Sequence, residues 1–340
     1  MTGILLLTGG ILVFAVFALV YRILSLVDIA RGSQNKRVGY SNTVNGFLFI
    51  VFFFLFFGLI AFYSDDLSAG FLPEASSEHG KVTDELFWTT TAITFVVFFL
   101  THIILLLTPY FFRYKENRKA LWWPDNTKLE IAWTVVPAIV MAVLVLTGWM
   151  AWSDITAPAP QNSEVVEIMG KQFNWHVRYP GKDRVLGTHN FRKIDATNAM
   201  GMDFDDKHNI DDFQPNEIHL PKGKPVLLKI RARDVLHSVF MPHFRVKMDA
   251  VPGMPTQFWF TPTETTAEAR ARLKNPDFNF EMACTEVCGQ GHFAMRFVVV
   301  VDEPAEYEKW YASQESWSSR NKDYMAQLQA KASEKNVAKK

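Results

Sequence analysis

Cys284-Thr-Glu-Val-Cys288-Gly-Gln-Gly-His292-Phe-Ala-Met295 gathers both cysteines of the chain, one histidine and one methionine on a single short stretch. Thiolates, an imidazole and a thioether form the soft ligand set that selects copper. One Cys followed closely by His and Met, at the end of a β-sandwich, would describe a mononuclear blue-copper loop. The extra Cys, four residues earlier, changes the reading. Two thiolates on one tight loop can both bridge a pair of metal ions, which then share one unpaired electron. A second imidazole must come from elsewhere, and His237, in Asp-Val-Leu-His237-Ser at the expected end of a strand, is the best placed. Two alternatives stand beside copper. Cysteines in an oxidising compartment are by default a disulfide, which leaves His292 and Met295 at ligand spacing unexplained. Zinc would accept Cys and His, but Met is a poor zinc ligand. His79, His176, His189, His208, His219 and His243 are read as surface or hydrogen-bonded residues.

Around this loop the chain reads as a small β domain. Val165–Met169, Phe173–Tyr179, Glu217–Leu220, Pro225–Ala232, Thr256–Phe260, Phe278–Met282 and Met295–Val301 are short β-branched or aromatic segments bounded by Gly, Pro and Asn. Many short strands at near-regular spacing predict a sandwich or barrel. Arg184–Phe213 interrupts the pattern with a polar, Asp-rich insertion, and Thr265–Leu273 with a segment of helical composition. The charged tail after Trp317 is expected to be a surface helix or disordered.

The half before residue 153 is different in kind. Thr2–Leu26, Gly46–Tyr63, Leu86–Phe112 and Ile131–Trp152 are each close to the about 20 apolar residues that span a bilayer. The first lacks a basic flank ahead of it and a small-residue cleavage motif after it, so it reads as a retained helix. Arg22, Arg31, Lys36 and Arg37 follow the first run, and Arg113, Lys115, Arg118, Lys119 and Lys128 the third. The intervening loop carries Asp65, Asp66, Glu74, Glu78, Asp84 and Glu85 against Lys81. By the positive-inside rule the chain from Ser153 onward lies outside the cytoplasm. His102, within the third run, is read as hydrogen-bonded to a neighbouring helix, and Glu130 as a first-turn acid favoured by the helix dipole. With 35 basic and 35 acidic side chains, a nucleic-acid binder is not expected. The 29 Phe exclude a disordered chain.

The copper-type loop, Arg-Asp-Val-Leu-His237-Ser, the Lys-Met-Asp-Ala-Val-Pro-Gly253 segment and the helix opening Leu129-Glu-Ile-Ala-Trp-Thr-Val-Val-Pro137 together resemble subunit II of cytochrome c oxidase. The resemblance covers roughly residues 86–310. Taken with the four apolar runs, it implies four transmembrane helices followed by a cupredoxin-like Greek-key β-sandwich: the family's hairpin at 85–153, preceded by an extra helix pair at 1–64 that family members usually lack. The copper domain would span 160–312, with insertions near 184–213 and 264–277, and a charged tail 313–340. It also implies a dinuclear copper centre. One copper would take His237 and Met295, the other His292 and the backbone carbonyl of Glu286, with Cys284 and Cys288 bridging both. The Glu286 side chain would reach a magnesium ion shared with subunit I, and Glu130 would mark the mouth of a proton channel.

The implied role is electron delivery to haem in subunit I of an aa3-type oxidase, beside subunits I and III, in a bacterial cytoplasmic (inner) membrane with the copper domain on the periplasmic side. The donor would be a separate c-type cytochrome, since no Cys-x-x-Cys-His occurs. The chain departs from the family in three ways. Phe173, in Gly170-Lys-Gln-Phe173-Asn-Trp175, replaces the Trp proposed to receive electrons, leaving Phe173 and Trp175 as candidates for that role. Arg178 and Arg233 stand where some relatives dock a basic cytochrome with acids, whereas Asp234 and Asp249 match. The extra helices and insertions are expected to bind a quinol-oxidising complex that holds the donor. Nitrous-oxide reductase shares the two-copper loop but needs a His-rich propeller, and metal-free quinol-oxidase subunits lack these Cys and His.

Overall fold

The computed structural model describes residues 2–30, 40–68 and 71–337; Arg31, Lys36 and Arg37, which carry part of the expected loop charge, lie outside them. Among the described residues four helices are long and apolar enough to cross a membrane: α1 (Thr2–Ala30), α2 (Tyr40–Ser68), α3 (Glu78–Phe111) and α4 (Thr127–Ile155). Each outruns the apolar stretch that predicted it, because helical hydrogen bonding continues into polar flanks. At α3 the extension has a specific cause. Ser76 N–H donates to the His243 carbonyl (2.7 Å) and Glu78 N–H to that of Thr261 (3.1 Å), while Arg245 clasps Asp84 at 2.7 and 2.9 Å. These bonds tie the first turns of α3 to the β domain. His102 bonds the Phe98 carbonyl of its own helix (2.8 Å), not that of a neighbour, and its ring stacks on Phe56 of α2.

The remainder forms two packed sheets. The strands are β1 (Glu164–Lys171), β2 (Asn174–Arg178), β3 (Ile218–Pro221), β4 (Val226–Ala232), β5 (His237–Met241), β6 (Val246–Ala250), β7 (Thr256–Phe260), β8 (Phe280–Cys284) and β9 (Arg296–Asp302). One sheet runs β2-β1-β4-β7 and the other β3-β9-β8-β5-β6. The pairs β1/β4 and β3/β9 are parallel and the rest antiparallel, a crossed-over sandwich. Val166, Ile168, Leu228, Val239, Met282 and Val299 are among the side chains that fill the space between the sheets.

The sequence did not announce β5 and β6. His-Ser-Val-Phe-Met-Pro-His-Phe-Arg-Val has no clean alternation, and Pro242 interrupts it. A 3-10 turn at Pro242–Phe244, closed by Arg245 at φ 55°, reverses the chain and makes the two strands a hairpin. His237 therefore opens a strand instead of ending one. The expected helix appears as α5 (Thr266–Leu273), started by a Thr265–Glu268 capping box.

β1 is buried on both faces, which a half-exposed strand would not be. The tail folds as α6 (Pro304–Ser313), α7 (Trp317–Arg320) and α8 (Lys322–Val337); α6 packs on β3 and β9, while the Asp-rich insertion and Trp317 cover the outer face of β1. Met169, Met200, Met202 and Trp317 form a second small core there, and Trp317 N–H donates to the Asp212 carbonyl (2.7 Å). The beginning of the tail is thus docked.

Between sheet and insertion lies a buried ionic network. Arg178, fully buried, donates to Glu167 (2.6 Å), Asn209 (2.5 Å), Asp212 (3.1 Å) and the Gly187 carbonyl (2.9 Å). Burial alone would raise Glu167, but the Arg178 and Arg231 guanidiniums hold it at about 2. Burial pushes Asp212 the other way, up to about 7, and its Oδ1 has no partner. An acid raised on folding stabilises while protonated. That contribution is full below about 3.8 and is lost as pH climbs through about 7. Between those values the native chain should lose about 4 kcal/mol relative to Asp212→Asn. Denaturant midpoints of the two chains, measured in detergent across this range, check it; parallel curves would refute it.

Candidate metal centre

The ligand loop is held at both ends by the sheet. Cys284 closes β8, Met295 immediately precedes β9, and Cys284 N–H donates to the Met295 carbonyl (3.1 Å). β5 pairs with β8 through Val239 and Cys284, which brings His237 alongside from the neighbouring strand. His237, Cys284 and Cys288 present ligand atoms within 4.8 Å of one another. Both cysteines are free thiols, not a disulfide. Cys284, Cys288, Met295 and His237 are all buried, the last completely.

The donors sort themselves around the two sulfurs. Cys284 Sγ lies 3.8 Å from His237 Nδ1 and 3.3 Å from the Glu286 carbonyl oxygen. Cys288 Sγ lies 3.6 Å from His292 Nδ1 and 3.4 Å from Met295 Sδ. Each thiol thus has one imidazole and one weaker donor. Burial and the adjacent Cys284 push the Cys288 thiol up to about 11, so it keeps its proton at neutral pH until a metal cation displaces it. Soft sulfur with imidazole, in a buried site without carboxylate ligands, fits copper.

Neighbouring groups fix these donors, and several were not legible from spacing. Asp234 Oδ1 accepts from His237 Nε2 (2.9 Å), which leaves Nδ1 free to face Cys284. Its other oxygen accepts from Gln172 N–H (2.8 Å), so Asp234, expected on a docking face, is turned toward the site. Gln172 Nε2 donates to the Cys288 carbonyl (2.6 Å), and Trp175 Nε1 to that of Met295 (3.3 Å). The Gly170–Trp175 segment is therefore a clamp on the loop. Phe173 lies on the loop backbone, where a Cβ at Gly291 would come 2.5 Å from its ring. Asp249 is exposed on β6 beside Lys247 (3.3 Å). Arg178, which stands where some relatives are expected to carry a docking acid, is buried in the ionic network, because β2 turns it toward Glu167 and Asp212. Glu130 occupies the first turn of α4.

Gly170 must lack a side chain for a reason visible in the site. A Cβ there would stand 2.7 Å from His237 Cδ2. Gly170→Ala should displace that imidazole and lower retained copper by about half or more, with the β-domain circular dichroism unchanged. Metal analysis of the purified variant checks this; full loading would show that His237 is not constrained from this side.

A two-sheet β-sandwich that gathers thiols, imidazoles and a thioether, on a chain with four membrane-type helices, defines a membrane-anchored protein with a candidate metal site. Residues 164–302 match the family described as cytochrome C oxidase subunit II, periplasmic domain, and residues 66–149 its transmembrane domain. The chain is 37% identical over 236 residues to the alternative cytochrome c oxidase subunit 2 of Bradyrhizobium diazoefficiens, covering 68% of this chain and 78% of that one. It is 28% identical over 296 residues to cytochrome c oxidase subunit 2 of Thermostichus vulcanus, covering 71% and 77%. The solved periplasmic domain of subunit II of cytochrome oxidase (CoxB) of Bradyrhizobium japonicum is 23% identical and covers 46% of this chain and 96% of its own, with a TM-score of 0.32. The chain belongs to the cytochrome c oxidase subunit II family. It is a membrane-bound part of a haem-copper oxidase, an oxidoreductase, and partners the other oxidase subunits with its soluble domain outside. Most of α1 and α2 precedes both matched regions.

Proposed function

We propose that this chain is the electron-accepting subunit of an aa3-type cytochrome c oxidase in a bacterial cytoplasmic membrane, with its metal domain in the periplasm. His237 and Met295 would hold one copper, His292 and the Glu286 carbonyl the other, and Cys284 and Cys288 would bridge both. The observation that carries this is the donor set: both imidazoles, the Met295 sulfur and the Glu286 carbonyl lie 3.3 to 3.8 Å from one or other thiol. When bound, such a pair accepts one electron at a time and spreads it over both metals. The chain's part is to keep the donors still: Asp234 orients His237, Gln172 and Trp175 pin the loop, and burial excludes water. A rigid site changes little on reduction, and electrons then pass to haem in subunit I, where oxygen is reduced to water and protons are translocated.

The donor in this reading is a separate c-type cytochrome. Glu286 would also reach a magnesium ion shared with subunit I, and Glu130 would take up protons at the cytoplasmic mouth of a channel, a role its first-turn position supports. Subunit III completes the oxidase. The extra pair α1 and α2 and the insertions would contact a quinol-oxidising complex, so gentle solubilisation should recover its subunits with the oxidase; recovery of oxidase subunits alone would refute that contact. An EPR spectrum of the purified complex with a metal count tests the centre. Two copper ions and one magnesium for each copy of this chain, with the shared-electron signature, are expected. A chain without copper would overturn the reading.

A further inference from the structure

A cleft of about 620 Å³ opens beside the metal site, between β2, β9 and α7. Its walls carry His176, Arg296 and Arg320, and no carboxylate lines it. Arg296 is two-thirds exposed and only 3.5 Å from its nearest acid, Glu281, while Arg320 donates to the Gln214 carbonyl (2.6 Å). After burial, the cations Lys171, Arg233 and Arg231 lower His176, so the positive field extends past the cleft wall.

Trp175 forms the floor. Its indole N–H reaches the Met295 carbonyl (3.3 Å), and its ring meets His237 edge-on at 5.9 Å. One side chain thus touches two of the proposed ligands, both assigned to the same copper. Phe173 instead lies over the loop at Gly289 and Gly291.

We propose that electrons reach this oxidase through Trp175, from an acidic-faced one-electron carrier protein seated in the basic cleft, and not through Phe173. The proposal rests on the copper reading above. One electron leaves the reduced carrier, which is oxidised, and the site held by the two thiolates is reduced; no bond forms or breaks and no proton moves. Arg296 and Arg320 supply the attraction and Trp175 the coupling.

The test uses the assembled oxidase in detergent with two probes, a c-type cytochrome with an acidic face and one with a basic face. The acidic probe should bind about tenfold tighter at low salt, with the preference fading as ionic strength rises. Arg296→Glu with Arg320→Glu, both on the surface, should reverse it. Trp175→Phe should leave probe affinity unchanged and, with rates compared per EPR-visible copper centre, slow electron transfer from the bound acidic probe by about tenfold or more. Trp175→Tyr should restore part of the rate, which a purely packing role would not do. Preference for the basic probe, or indifference to the charge reversal, overturns the docking face. Slower transfer in Phe173→Leu with none in Trp175→Phe overturns the path. Absence of the copper signal from the unaltered enzyme would instead be failure of the underlying reading.

Discussion

Cys288→Ser should eliminate the two-copper centre outright. Cys288 lies 3.6 Å from His292 Nδ1 and 3.4 Å from Met295 Sδ, so it is the sulfur that collects one imidazole and the thioether. A hydroxyl in its place is a hard, weakly coordinating group that does not bridge soft metals at neutral pH. Cys284 is then the one thiol left, and without a second bridging sulfur the remaining donors suffice for at most one ion. Copper should fall from two per chain to one or none, and the shared-electron EPR signature should vanish while the sandwich keeps its fold. The mutation changes one atom in a loop whose ends are still paired by β8 and β9. An unchanged EPR signature would contradict the assignment. His237→Ala should also lower copper retention, whereas His243→Ala should not, because His243 packs against Phe278 and Phe280.

Arg178→Met should be the most damaging change away from the metal. It would leave the Asp212 carboxyl, buried and already short of a partner, without its cation, and would take from Glu167 one of its two guanidiniums. Removing one member of a buried ion pair costs about 3–5 kcal/mol. Arg178→Lys should rescue little, since one ammonium cannot reproduce a fork that serves two carboxylates, Asn209 and the Gly187 carbonyl. The loss should shrink at low pH, where Asp212 gains a proton and its burial becomes cheaper. Equilibrium unfolding of the full chain in detergent, at about pH 4 and about pH 7, reads it. A change under about 0.5 kcal/mol at both would place Arg178 at the surface after all.

The sequence alone determined whatever depends on neighbours along the chain. Long, mainly apolar runs set the four membrane-type helices, and a capping box set α5. The kinds of ligand were legible because Cys284, Cys288, His292 and Met295 lie on one loop. Tertiary structure decided what depends on strand register and on which face is covered. Pairing of β5 with β8 brings His237 to Cys284, and no local signal announced β5. The insertion and tail bury the outer face of β1, which makes Arg178 an internal strut. The turn after β1 places Gln172 and Trp175 on the ligand loop, and Asp234 faces His237 for the same reason. Propensity and spacing act over a few residues. Long-range pairing is fixed by the sheet as a whole, so the ligand types were visible in one dimension and their arrangement only in three.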